Sequence, residues 1–542
     1  MTEQHDSVMH RLSPVLSASR RELMPVLSAS RRELIKAFPA GVAALALAVN
    51  TRSALAAARD LVVALPNNPS TLDPVMQANH DGMVVTQSIF ENLVEVDVDG
   101  NLQPQLAIEL PKISADNLEY VFELRPDVKF QNGQFFSAED VKYSFDYVLN
   151  PENKTLRRPL FDRIAEVIVE NPLRVRFRMR EPYRPWLYYM TKYHGIFPKG
   201  SREKHDANYF KNGPIGLGTG PAQFVEWLQN DRVVLNRNPN YWRKGVPTWD
   251  KLVVRIIPDD SSRLAYLKTG DIDIMSAPRP ADFASLKNQP GIEAASRLAL
   301  GGWFFLMTNT KKPPFDDVNV RRAIACAIDR DMLASKVYYG LVTPTTIPAP
   351  PGSWWFDDNA NHVNGYNVNR AKEFLARSKY ASGAEFEMLV PSQPYLLDVK
   401  DAAIVVQAQL ASIGIKLNIR ELEQGVLLNQ TRLGNFSSAL QVWMSPGEPT
   451  YMIDLIYGKE NVFSKSSGYD NQAAWDLISE TYKRTNQEEL KPVFAKLLTQ
   501  LAEDSPHVWL GIVHASNAWR SEVKGFKVNQ GLTLRVRDVR KT

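Results

Sequence analysis

The period of apolar and polar positions changes repeatedly along the chain, and each change predicts an element. Residues 61–65 are a short apolar run that fits a buried strand, ended by the turn-rich Pro66-Asn67-Asn68-Pro69-Ser70. Residues 84–93 have helical spacing, and residues 118–124 alternate like a half-buried strand. A helix is predicted from Ser137 to Leu149, with Ser137 and Asp140 at capping-box spacing and aspartate in place of the usual Glu or Gln. The glycine-rich stretch 213–221 punctuates the middle, before a strand at 252–257 and a helix at 261–268. The second half repeats the alternation: strands at 303–308, 385–390, 415–421, 440–444 and 507–513, and helices at 320–334, 400–413 and within 471–502. Interleaved strands and helices over this length predict several α/β units. No repeat of about 20 to 50 residues is present, which argues against a solenoid or propeller.

The N-terminal segment has a different grammar. Ser30-Arg31-Arg32-Glu33-Leu34-Ile35-Lys36 precedes an apolar stretch from Ala37 to Val49 and a small-residue site, Ala54-Leu55-Ala56. That is the layout of a cleaved export signal, and the paired arginines resemble the twin-arginine type. The apolar stretch is shorter than the ~20 residues of a membrane-spanning helix. Residues 13–23 recur almost unchanged as 24–34, so translation starting at Met1 or at Met24 gives the same mature chain.

Composition then changes the picture in two ways. Residues 1–56 carry seven basic and four acidic side chains, so their removal lowers the formal charge from +4 to +1. A near-neutral mature chain offers no concentrated basic face for nucleic acid. Arg174, Arg176, Arg178 and Arg180 alternate as the solvated face of an edge strand would. The mature chain, of about 485 residues, exceeds what one core usually supports, so two or three domains are expected. The single cysteine, Cys326, sits in an apolar run and is expected to be structural.

The chemistry of an enzyme is not written locally. There is no G-x-S-x-G and no phosphate-binding loop, and the eight histidines form no HxH, HxxxH or HExxH spacing. No cofactor and no protein-built metal site is therefore expected, although a chelate held through its organic part would leave no such mark. Hydrolysis is the alternative from another class, and it lacks a nucleophile with a base.

Four blocks, in order, carry a resemblance: residues 128–145 (VKFQNGQFFSAEDVKYSF); Gly218-Thr-Gly-Pro221 with Asn236-Arg-Asn-Pro-Asn-Tyr-Trp242; residues 308–330, with Pro313-Pro314 leading to Arg321 and Arg322; and residues 410–416 (LASIGIK). Through them the chain resembles the extracytoplasmic solute-binding proteins of ATP-driven ABC importers, in the peptide, opine and nickel-binding class known as family 5. Gly218 and Gly220 are expected to permit positive φ or close backbone approach.

The resemblance implies an α/β, two-lobed periplasmic binding protein fold with an extra inserted domain, mixed sheets flanked by helices, and a ligand cleft between the lobes. The expected division is a signal over 1–58, lobe I over 59–92, 216–301 and 508–542, an inserted domain over 93–215, and lobe II over 302–507. It also implies a periplasmic monomer that hands a small-molecule ligand to ABC permease membrane subunits without making or breaking a bond.

Ligand identity is sought in the stretch Trp443-Met-Ser-Pro-Gly-Glu-Pro-Thr450. It resembles the loop in which peptide-binding members place an aspartate against the peptide's α-ammonium. Pro446, or a one-residue gap, stands at that aspartate, while Glu448 matches a second acidic position. Loss of that contact favours an opine, a sugar conjugate or a modified amino acid over an ordinary di- or oligopeptide, with a metal chelate less favoured. The ligand-binding candidates are Asn79, His80, Trp303, Phe304, Arg432, Trp443 and Glu448, with Asp81 beside the first two. The aromatic rings are proposed as stacking faces.

Overall fold

The computed structural model describes residues 59–542 except 78, 393–396, 446, 485 and 532–533. The export signal, its cleavage site, the alternative start and Pro446 lie outside the described residues. Among the described residues no helix is long and apolar enough to cross a membrane.

Eleven strands make one sheet: β1 (Asp60–Leu65), β2 (Ala222–Leu228), β3 (Arg232–Arg237), β4 (Lys251–Ile256), β5 (Ile274–Ser276), β6 (Ile292–Thr308), β7 (Val342–Pro344), β8 (Ala384–Pro391), β9 (Ile415–Leu422), β10 (Ser438–Met444) and β11 (His507–Arg520). Their spatial order is β9-β8-β10-β6-β11-β5-β1-β4-β3-β2, with β7 also on β11. β1 runs parallel to β4 and β5, and β8 runs parallel to β9 and β10. The long strands β6 and β11 pair antiparallel between these two parallel groups. Parallel strands are covered on both faces, which explains the uninterrupted apolar run of β1. Leu61, Val63 and Leu65 enter the large core, while Ala64 enters a smaller one with Leu267, Ile272 and Met275.

The strand at 303–308 is therefore the end of a much longer one. Its first half, from Ile292 to Leu298, is only partly buried and carries Glu293, Ser296 and Arg297, so its sequence has no strand-like apolar signal. Pairing of β6 with β11 breaks between Leu298/His514 and Trp303/Ile512, where residues 299–302 bulge. There Ser445 donates its backbone N–H to the Gly301 carbonyl at 2.8 Å, and a Cβ on Gly301 would lie 1.9 Å from the Ser445 hydroxyl oxygen.

Residues between β1 and β2 build a second, four-stranded sheet in the order 112–113, 119–123, 174–179, 164–171. Helices α1 (His80–Ile89), α2 (Ala138–Leu149) and α3 (Trp186–Tyr193) lie in this part of the chain. Asp140 accepts from the Ser137 backbone N–H at 2.8 Å, so aspartate serves in the capping box. Trp186 of α3 and Phe145 of α2 meet Tyr120, Phe122 and Phe177 of the sheet edge-on or tilted. The arginine-bearing strand is internal, paired on both sides, and not an edge strand. Its solvated face is laced by ion pairs of Arg174, Arg176 and Arg178 with glutamates of the flanking strands.

Two further readings shift in detail. The helix expected at 84–93 is α1, started four residues earlier by Asn79, whose side chain accepts from Gly82 N–H at 2.8 Å. The helix expected at 320–334 ends at Ala327, because Asp329 caps a new turn through Met332 N–H at 2.9 Å. Arg321 projects from that helix to the carbonyls of Phe315, Asp504 and Ser505 at 2.6 to 2.9 Å, meeting the otherwise unpaired end of the helix Gln487–Asp504.

Gly218 and Gly220 serve close approach. Gly220 N–H donates to the Ile89 carbonyl at 2.9 Å, and a Cβ on Gly218 would sit 1.8 Å from that same oxygen. Gly218→Ala must push the backbone at the end of α1 aside, at a cost of about 1–3 kcal/mol. A lowered melting temperature in calorimetry is the expected result, and an unchanged one would contradict the packing described.

Candidate functional site

The carboxyl ends of β1, β4 and β5 point along the sheet toward β7, because β5 is antiparallel to β11 and β11 continues past it to β7. The loops at these ends, with the segments facing them, enclose a cavity of about 340 Å³. Asn67, Asn68, Pro258, Asp260, Arg263 and Arg279 line one side; Leu341, Leu397 and Asp398 line the other. His514 and Ser516 of β11 form the floor. A narrower space of about 50 Å³ shares Pro66, Ala277, His514 and Ser516 with it and continues to His80, Asp81, Met444, Phe526 and Lys527. Apolar walls with a few placed polar groups, set where strands end, are the usual form of a small-molecule site.

Asp81 is the most unusual group in this space. It is 6 % exposed, and its Oδ2 accepts from the backbone N–H of Asn67 at 3.1 Å and from the Asn67 side chain at 2.9 Å. Burial pushes its carboxyl up to about 6, against the Asn67 hydrogen bonds and the more distant charge of Arg263. His514 bonds Thr343 Oγ1 through Nε2 at 2.8 Å, and burial holds its ring below the usual histidine range. Arg263 is spent on the carbonyls of Ile257 and Pro258 and on Asp260.

Of the residues expected from sequence, His80 lines the narrower space. Asn79 stands next to it, capping α1 and donating to the Asn68 carbonyl at 2.5 Å, so it shapes the loop. Trp303 and Phe304 are not brought to the cavity wall. Trp303 is 1 % exposed against Trp355 and Trp509, and Phe304 packs on Tyr338. Trp443 is half-buried between Phe305 and Phe463, its indole N–H on Gln441 at 3.1 Å. Arg432 is exposed, its guanidinium 5.9 Å from the Phe463 ring centre. Glu448 caps α4 (Pro449–Tyr457), accepting from Tyr451 N–H at 2.8 Å. Burial raises the carboxyl of Glu448, with Arg184 and the cap opposing. The residues missed by sequence reasoning are His514, Ser516 and Lys527, which carry no motif and are gathered only by folding.

A third cavity, of about 50 Å³, adjoins Glu91, Glu95, Arg535 and Arg537. Its charges are one another's partners: Glu95 pairs with Arg243 at 2.7 Å and Arg537 at 3.1 Å. Glu91 accepts from Tyr241, Trp242 and Thr219 at 2.7 to 3.0 Å. This is internal bracing.

Beyond the cavity, the 112–193 part of the chain meets α4 through tyrosines. Tyr183 donates to Asp454 Oδ2 at 2.8 Å, and Tyr482 donates to Oδ1 of the same buried carboxylate. Tyr451 meets Tyr193 hydroxyl to hydroxyl at 3.1 Å and Tyr189 ring to edge. Tyr183→Phe removes one donor to a buried charge, a loss of about 1.5–3 kcal/mol. A lower urea midpoint with unchanged slope is expected, and an unchanged midpoint would show that the contact contributes nothing.

Comparison with known proteins follows this geometry. The model of the bacterial extracellular solute-binding proteins, family 5, matches residues 101–464. Heme-binding protein A of Haemophilus influenzae is 26% identical over 459 residues, covering 79% of this chain and 82% of its own length. The glutathione-binding protein GsiB of Escherichia coli is 26% identical over 498 residues, covering 90% and 95%. Among solved structures, AgaA of Agrobacterium tumefaciens R10 with agropinic acid superposes with a TM-score of 0.79 at 26% identity, covering 89% of this chain and 99% of its own. DppA of Helicobacter pylori with the peptide STSA gives 0.79 and 26%, covering 89% and 98%. The fold is that of the periplasmic binding proteins, and the chain belongs to the bacterial extracellular solute-binding proteins of family 5.

Proposed function

We propose that this protein is the periplasmic receptor of an ABC importer. It captures a small organic solute, whether opine, sugar conjugate or peptide-like molecule, and delivers it as a monomer to the membrane permease. The observation that carries this reading is the cavity of about 340 Å³ at the strand ends beside the crossing pair β6–β11. Two strands shared by both halves of the sheet, broken at residues 299–302, suit a hinge that closes over a ligand. In this reading lobe I is 59–92, 216–301 and 508–542, the inserted domain is 93–215 and lobe II is 302–507. The tyrosine contacts on Asp454 then hold the inserted domain to lobe II in the closed form. The role proposed is binding and not catalysis, in keeping with the solute-binding family to which the chain belongs.

Ordinary peptide uptake is the second reading, kept because DppA binds its peptide STSA on this fold. A thermal-shift panel on the mature chain, refolded to remove carried-over ligand, separates the two. It holds opines, sugar conjugates, di- and tripeptides, glutathione, and nickel with and without chelators. A ligand at about 1,000 times its dissociation constant stabilises the fold by ~4 kcal/mol. A response confined to opines or sugar conjugates supports the first reading, a broad response to small peptides supports the second, and silence across the panel rejects the receptor role.

Export by the twin-arginine route, with the mature chain starting at Ala57, belongs to the same proposal. Replacing Arg31 and Arg32 together by Lys is expected to hold the precursor in the cytoplasm on cell fractionation. An undiminished periplasmic band would remove the route and leave the receptor reading intact.

A further inference from the structure

Buried charges in this protein are, as a rule, answered by the protein itself. Glu95 has its arginines, Asp454 its two tyrosines, Asp81 the donors of Asn67, Asp273 the ammonium of Lys541 and Arg330 its carbonyls. Lys192, in the last turn of α3, differs. It is 7 % exposed, yet among the described residues it forms no hydrogen bond and no ion pair. Its ammonium stands 5.6 Å from the centre of the Tyr193 ring. Burial pulls it below the ordinary lysine range, with the Tyr193 phenol opposing, the Arg157 guanidinium reinforcing and no carboxylate acting on it. Attraction to the carboxyl end of α3 is small beside the cost of burying an ammonium.

The next residue adds a second unused donor. Tyr451 of α4 donates its hydroxyl to that of Tyr193 at 3.1 Å, so the hydrogen of the Tyr193 hydroxyl is left over, with no acceptor among the described residues. Arg157 covers the Tyr193 ring at 4.5 Å and donates to the Gln77 carbonyl. The Thr191 carbonyl accepts from Gln87 of α1 at 3.3 Å. Three parts of the chain therefore converge on residues 191–193: α1 with the segment leading into it, the stretch that carries Arg157 and α3, and α4. An ammonium and a phenol O–H without acceptors, beside a guanidinium, make a donor set that a cation is repelled from and an anion completes. Lys192 is not among the residues lining the cavity of about 340 Å³, so this is a different place from that cavity.

We infer that Lys192 and the Tyr193 hydroxyl form a second binding site, for an anionic group of the carboxylate or phosphate type, where α3 meets α4. The site itself goes beyond the receptor reading. Under that reading its anion is the acid end of the transported solute; a free ion of the same chemistry is the other source. An anion held there touches residues before β2 and approaches Tyr451 of α4, so its arrival favours the arrangement in which the two are together.

The first measurement compares ligand-free mature protein with Lys192→Met, which keeps the apolar stem and removes the charge. The variant is expected to melt at or above wild type, because it removes a buried charge that nothing answers. A clearly lower melting temperature would show that the ammonium serves the fold, and would overturn the inference.

The second measurement is calorimetric titration at constant ionic strength with trialanine, glutathione, agropinic acid, inorganic phosphate and acetate. Trialaninamide, glutathione diethyl ester and agropinic acid methyl ester are the counterparts whose acid groups are blocked. Those acids that bind are expected to do so about 100-fold more tightly than their counterparts. The difference is expected to vanish in Lys192→Met, to persist in Lys192→Arg and to shrink in Tyr193→Phe. Phosphate or acetate binding that is lost in Lys192→Met, with solute affinity unchanged by that variant, supports the site and gives it to a free anion. Acids and blocked forms that bind alike, with phosphate and acetate silent, overturn the site and leave the receptor reading standing, as does undiminished binding of every acid and free anion to Lys192→Met. Silence of every solute here and in the wider panel, with phosphate or acetate still bound through Lys192, rejects the receptor reading and keeps the site. Silence of all probes overturns both.

Discussion

The pairing of β6 with β11 is the constraint on which the rest of the structure depends. Within the one sheet, β6 pairs with β10 of one parallel group and β11 pairs with β5 of the other, so the two groups are joined through the β6–β11 pair. Hydrogen-bond continuity through them fixes where the carboxyl ends of β1, β4 and β5 lie, and therefore where the cavity is. The break at residues 299–302 sits at the same level, where Gly301 lets the loop after β10 come within hydrogen-bonding distance. His514 both pairs with Leu298 at the edge of this break and lines the cavity.

Buried polarity does two separate jobs around this frame. In the first, the charge is met by the protein's own polar atoms: Arg321 takes the carbonyls of Phe315, Asp504 and Ser505, Arg330 takes those of Ala325, Ile328 and Trp509, and Glu91 collects hydroxyl and indole donors. Such groups tie loops to elements and leave little for a ligand. In the second, beside the cavity, Asp81 is buried against open space and is held by the Asn67 backbone and side chain.

The aromatic residues show the same division. The tryptophan at 303 is flat, large and on a strand, so it reads as a stacking platform. Folding instead places Trp355 and Trp509 around it, and it becomes part of the lobe's interior. Tyr183, Tyr189, Tyr193 and Tyr451, which attract no notice in the sequence, form the junction between α4 and the residues before β2.

Legible in the sequence were the α/β alternation, most strand and helix positions, the family, and the close backbone approach at Gly218 and Gly220. These rest on periodicity, capping and steric demands that act over a few residues or on motifs written contiguously. The partly polar first half of β6 escaped, because a strand paired inside a sheet but open on its faces carries no apolar signature. Only the tertiary structure decided that the Glu448 carboxylate is committed to a helix cap, and that Trp303 and Phe304 are core. It alone set Asp81 around one space with His514 and Lys527, which lie far along the chain from it. The physical reason is that a binding site is a relation between chain segments: whether a charge is met or unmet depends on what packs against it, and no local pattern records that.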